Sequence, residues 1–114
     1  MDLRFDCVFY YVSDLARSIR FYSEILGFDL ASEDVVARFD VDGVLLELVP
    51  ASSASKYAGG GNARLCLSVD DIERAVAELR AAGITVGDLE EVQNGLLAAF
   101  EDPDGNELVL WQAK

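Results

Sequence analysis

Histidine is absent from all 114 residues. No imidazole is therefore available to ligate a metal, to move a proton or to activate a nucleophile. Cysteine occurs only as Cys7 and Cys66, with no Cys-x-x-Cys, too few to staple a fold. In a reducing compartment both are expected to remain thiols and to pack as small buried apolar residues. Uninterrupted apolar runs reach only a few residues, as in Val44–Leu46 and Leu96–Phe100, whereas a helix crossing a bilayer needs roughly 20. Met1–Asp6 carries acids and no apolar stretch of signal-peptide length, so a cytoplasmic location is expected. Basic residues are also scarce: nine against 21 acidic ones, a formal charge of −12. That field repels phosphate backbones and anionic lipid heads, so neither nucleic acid nor membrane is expected as a partner; it attracts small cations. What the chain does have is apolar residues, 52% of the total, enough for one full core at this length.

The chain repeats itself. Val12-Ser-Asp-Leu-Ala-Arg-Ser-Ile19 aligns with Val69-Asp-Asp-Ile-Glu-Arg-Ala-Val76. Each follows a strand-like run, Cys7–Val12 or Leu65–Val69, and each leads into a helix that stops at Gly27 or Gly83. The first helix is predicted over Asp14–Leu26, with Leu15, Ile19, Tyr22 and Leu26 on its buried face and Ser13 or Asp14 as its cap. The second is predicted over Asp71–Ala82, burying Ile72, Val76 and Leu79, with Asp70 and Glu73 as a capping-box start. Two hairpins follow, each carrying Asp-Gly: Phe39–Val49 turning at Asp42-Gly43, and Phe100–Trp111 turning at Asp104-Gly105. Each half thus reads strand, helix, three strands, over about 1–50 and 63–114. Serine and glycine dominate the connection at 50–62, which is expected to be mobile, either a lid or a linker.

Val12-Ser-Asp-Leu-Ala-Arg-Ser-Ile-Arg-Phe-Tyr-Ser-Glu-Ile-Leu-Gly-Phe28 and Phe100-Glu-Asp-Pro-Asp-Gly-Asn106 resemble the opening and closing signatures of the vicinal-oxygen-chelate superfamily, the glyoxalase, bleomycin-resistance and dioxygenase proteins. With the repeat, the resemblance covers nearly the whole chain. It implies an α+β fold in which two βαβββ repeats form curled mixed sheets around a cup, in one domain spanning 1–114. It also implies a homodimer.

In metal-using members, four side chains, typically two histidines and two glutamates, hold a divalent ion in the cup. The resemblance carries those places onto Cys7, Glu47, Arg64 and Val109. Only Glu47 is an ordinary ligand; Arg64 is a permanent cation and Val109 has no donor atom. No metal and no cofactor is therefore expected, and Glu47 is expected to pair with Arg64 where the ion would lie. Strand alternation extends the cup-facing set to Phe9, Tyr11, Cys66, Ser68 and Trp111, with Leu45, Val49 and Glu107 beside them, Glu107 near a strand end and solvated. That mixture suits a small organic ligand.

Three functions remain open at this point. One is a metal-free binding protein that sequesters an antibiotic-like ligand, as bleomycin-resistance members do. The second is a glyoxalase-like lyase, isomerase or epimerase acting on a small carbonyl compound, with Glu47 as base and Arg64 as electrostatic stabiliser. The third is a degenerate, non-catalytic interaction module.

Overall fold

The computed structural model describes residues 1–51 and 61–114, so most of the connection expected at 50–62 lies outside the described residues. The chain divides into two compact units, Met1–Gly59 and Gly60–Lys114. The first unit contains β1 (Val8–Val12), α1 (Leu15–Arg20), β2 (Asp29–Glu33), β3 (Ala37–Val41) and β4 (Val44–Pro50). The second contains β5 (Leu65–Ser68), α2 (Ile72–Ala81), β6 (Glu90–Val92), β7 (Gly95–Glu101) and β8 (Glu107–Ala113). Both sheets have one plan, with orders β1-β4-β3-β2 and β5-β8-β7-β6. The outer pairs β1/β4 and β5/β8 are parallel and the rest antiparallel. The βαβββ repeat is therefore present twice.

Alternation along the strands sorts each sheet into a packed face and an open one. In the first unit Val12, Ala37, Phe39, Leu46 and Leu48 are buried with Phe21 and Tyr22 from the helical segment. In the second, Ala98, Phe100, Leu108 and Leu110 are buried with Ile72, Val76 and Leu79, the three α2 residues expected there. Burying side chains of this kind contributes about 1.5–3 kcal/mol each, so these two clusters carry most of the stability of their units. The opposite faces carry the residues discussed below.

The turn chemistry follows the sequence closely. Asp42 (φ 53°) and Gly43 (φ 84°) form a two-residue turn closing Val41 on Val44, and the Gly43 N–H donates to Asp40 Oδ1 at 2.9 Å. Both positive dihedrals are what a type I′ hairpin turn requires. Gly27 and Gly83 end their helical segments with φ of 76° and 87°.

Two helix expectations are corrected. The first helix is α-helical only through Arg20, and Phe21–Ile25 form a π-helical turn in which the Leu26 N–H donates to the Phe21 carbonyl at 3.1 Å. The Ser23 hydroxyl donates to the Ile19 carbonyl at 2.6 Å, a side-chain bond of the kind that loosens the helical ladder. The buried face shifts accordingly. Ser18, Phe21 and Tyr22 are its fully packed residues, and Leu15, Ile19 and Leu26 are only half-buried. In the second helix the cap is Asp71, whose carboxylate accepts from the Arg74 N–H at 3.1 Å, not Asp70. Its first turn is also tied to the sheet, since the Ile72 N–H donates to Gln112 Oε1 on β8 at 2.7 Å.

Candidate functional site

On the open face of the first sheet, β1 presents Phe9 and Tyr11, β4 presents Leu45, Glu47 and Val49, and β3 presents Arg38. Phe9 and Tyr11 meet edge to face with centroids 5.4 Å apart. Phe9 is 49% exposed, so it is not a core residue of its unit. Cys7 lies immediately before β1, and its thiol donates to Glu47 Oε1 at 3.2 Å. The other carboxylate oxygen, Oε2, accepts from Arg38 Nε at 2.9 Å. Arg38 is held further by Ser32 Oγ at 3.3 Å and by Asp34 Oδ1 at 3.6 Å. Partly exposed pairs of this kind contribute only ~0.2–1 kcal/mol, so what the cluster mainly does is fix the positions of its groups.

The expected pair of Glu47 with Arg64 is not formed. Glu47 takes the guanidinium of Arg38, directly opposite it in the β3/β4 register. Arg64 instead donates through Nε to Glu107 Oε2 at 2.9 Å and through Nη1 to the Gly61 and Ala63 carbonyls at 2.8 and 3.2 Å. Each arginine is captured by the carboxylate that its own sheet brings nearest. Glu107 is thereby half-buried and paired, not merely solvated.

The second sheet's open face carries Cys66 and Ser68 on β5, Val109 and Trp111 on β8, and Leu97 and Ala99 on β7. Cys66 is exposed, contrary to the expectation of a buried apolar thiol, and Cys7 is half-buried and hydrogen-bonded. The indole of Trp111 packs over Gly95.

A divalent ion does not suit these donors. Both oxygens of Glu47 are engaged, one of them by a fixed cation. The hydrogen bond to Glu47, desolvation and the nearby negative charge push the Cys7 thiol up from 9.0 to about 11, the reverse of what a thiolate ligand requires. Arg64 has no lone pair to offer, and Val109 has no donor atom. Among the described residues, no group of three or more His, Cys, Asp and Glu could hold a metal.

The thiol shift is directly measurable. At pH 8 a group titrating at about 11 is thiolate in only about one molecule in a thousand. Cys66 is therefore expected to react first with a disulfide reagent and Cys7 far more slowly. Labelling in the single variants Cys7→Ser and Cys66→Ser assigns the two phases, and a fast phase from Cys7 would contradict the Glu47 hydrogen bond. The raised value also sets a sign for stability. The protonated thiol favours the fold, so its contribution is complete below about pH 9 and is lost as pH rises towards 11.

The Glyoxalase/Bleomycin resistance protein/Dioxygenase superfamily profile matches residues 4–110. The chain belongs to that superfamily. Among its relatives, the lactoylglutathione lyase of Salmonella typhimurium is 30% identical across 90% of this chain and 87% of its own length. TnmS3, an antibiotic binding protein from Streptomyces, superposes with a TM-score of 0.76 at 26% identity, covering all of both chains. The lactoylglutathione lyase of Agrobacterium tumefaciens superposes with a TM-score of 0.80 at 18% identity, over 96% of this chain and 92% of that one, a likeness of fold. No helix among the described residues is long and apolar enough to cross a membrane.

Proposed function

We propose that this protein binds and sequesters a small, antibiotic-like organic molecule on the open faces of its sheets, without a resident metal. One observation carries the reading: Glu47, the only ordinary ligand among the four places the family uses, has both oxygens engaged by Cys7 and Arg38. A carboxylate so engaged is poorly placed to hold an ion or to abstract a proton. On the first sheet the exposed Phe9 and its partner Tyr11 offer aromatic area of the kind organic ligands use, and on the second sheet Trp111 does so separately. The likeness to TnmS3, named for antibiotic binding, supports the same reading. Residence in the cytoplasm, a homodimer and one functional domain over 1–114 belong to this proposal.

The second reading, a lyase acting on a small carbonyl compound, draws on the 30% identity to lactoylglutathione lyase. One set of measurements separates them. Melting of the full chain is followed with bleomycin and with zinc, nickel and manganese, and lactoylglutathione formation from methylglyoxal and glutathione is assayed with each metal. The expected result is a rise in melting temperature with the drug, none with the metals, and no turnover. Metal-dependent turnover would replace this proposal with the lyase. Silence throughout would favour an interaction module.

A further inference from the structure

Four side chains form a row across the open face of the first sheet. Phe9 on β1 is in register with Glu47 on β4, Glu47 with Arg38 on β3, and Arg38 with Ser32 on β2. Strands lie ~4.8 Å apart, so the backbones of Phe9 and Arg38 are separated by about 10 Å, and the guanidinium bends back towards β4 to reach Glu47. Its Nε is committed to Glu47, and its Nη1 faces Ser32 and Asp34. Nη2 has no partner among the described residues. The equivalent row of the second sheet reads Cys66, Val109 and Ala99 and carries no charge. In the first unit, then, an exposed ring and an uncommitted strong donor share one cross-strand row, two strands apart with Glu47 between them.

The geometry points to Arg38 as the specificity-determining residue of the ligand site: Glu47 holds the guanidinium in place, and Nη2 donates to a carbonyl oxygen of a flat conjugated molecule lying on Phe9. The inference rests on the binding reading above and names its ligand class. In this unit the guanidinium is paired with Glu47, so a fixed organic cation is the group available to a ligand oxygen. Charge chooses the acceptor. Arg38 with Glu47 and Asp34 sums to −1, inside a protein of −12. A ligand carboxylate or phosphate would be repelled, whereas a neutral carbonyl accepts the hydrogen bond without adding a charge. The flat ring follows from Phe9, whose exposed surface rewards stacking.

The test uses 9-fluorenone and fluorene, which share one ring skeleton and differ in the carbonyl. Both are titrated into the full chain, with chemical shifts of the arginine side-chain and Phe9 amide groups as readout. Fluorenone is expected to bind about tenfold more tightly than fluorene, the scale of one charge-assisted hydrogen bond. Arg38→Met should remove that advantage and leave fluorene binding unchanged, while Phe9→Ala should weaken both. Should Arg38→Met alone melt early because Glu47 loses its cation, the double variant Arg38→Met with Glu47→Gln answers the same question without an unpaired carboxylate. Equal affinity for the two probes, no binding of fluorenone, or an undiminished preference in the Arg38 variants would overturn the inference. A bleomycin response that survives any of these results leaves sequestration standing with a different anchor. Metal-dependent lyase turnover would remove sequestration itself.

Discussion

Replacing Gly95 by alanine is expected to destabilise the protein nearly as much as replacing it by valine. The reason is the first side-chain carbon itself. A Cβ at Gly95 would fall on the Gln112 carbonyl oxygen, and it would lie 2.8 Å and 3.0 Å from two ring carbons of Trp111. The indole could rotate away, but the carbonyl belongs to the β7/β8 ladder that pairs Gly95 with Ala113 and Leu97 with Trp111. Moving it breaks the pairing that also positions Gln112 to accept from the Ile72 N–H at the start of α2. Overpacking against a movable side chain costs ~1–3 kcal/mol, and a backbone collision belongs at or above the upper end. A loss of about 3 kcal/mol corresponds to a fall in melting temperature of roughly 10–20 °C for a domain of this size. Urea unfolding followed by the fluorescence of Trp111 provides the measurement. An alanine variant as stable as the parent would show that β7 and β8 do not approach as described.

Asp102→Ala is expected to cost about 2–4 kcal/mol, with far less lost in Asp102→Asn. Asp102 and Asn106 are buried at 5% and 7% exposure. One carboxylate oxygen accepts from the backbone N–H groups of Asp104 and Asn106, both at 2.9 Å. The other accepts from the Asn106 side-chain amide at 2.8 Å. Removing the carboxylate orphans buried donors, each of which costs about 1–3 kcal/mol unless water reaches it. Asparagine keeps one acceptor oxygen for the backbone donors. Thermal melts of the two variants check the order, and equal losses would mean that the carboxylate matters for something other than these three bonds.

The closing signature was legible as a turn because proline, Asp-Gly and the flanking apolar runs are local signals. That its first aspartate is a buried hub was not, since burial of a carboxylate depends on the surrounding chain. Arg38 is more instructive. The turn at Asp42-Gly43 places Val41 opposite Val44, and counting outwards sets Arg38 opposite Glu47. The hairpin arithmetic carries that signal, whereas the family's four metal places put Glu47 with Arg64. Glu107 escaped for a similar reason. It stands two residues before Val109, near the end of β8, where solvent is the ordinary expectation, yet Arg64 reaches it. The π-helical turn at Phe21–Ile25 is not legible in apolar spacing, which does not reveal a serine hydroxyl bonding a backbone carbonyl.

Local chemistry alone was sufficient for the duplicated βαβββ plan, the Asp-Gly turns and the lack of imidazole, because periodicity, turn dihedrals and side-chain atom types are properties of short stretches. Which arginine meets which carboxylate, which thiol is held protonated and which rings stand open were decided only by the assembled sheets. Such contacts join residues up to 43 positions apart, as in Arg64 with Glu107, and strand register, not sequence proximity, selects the partner.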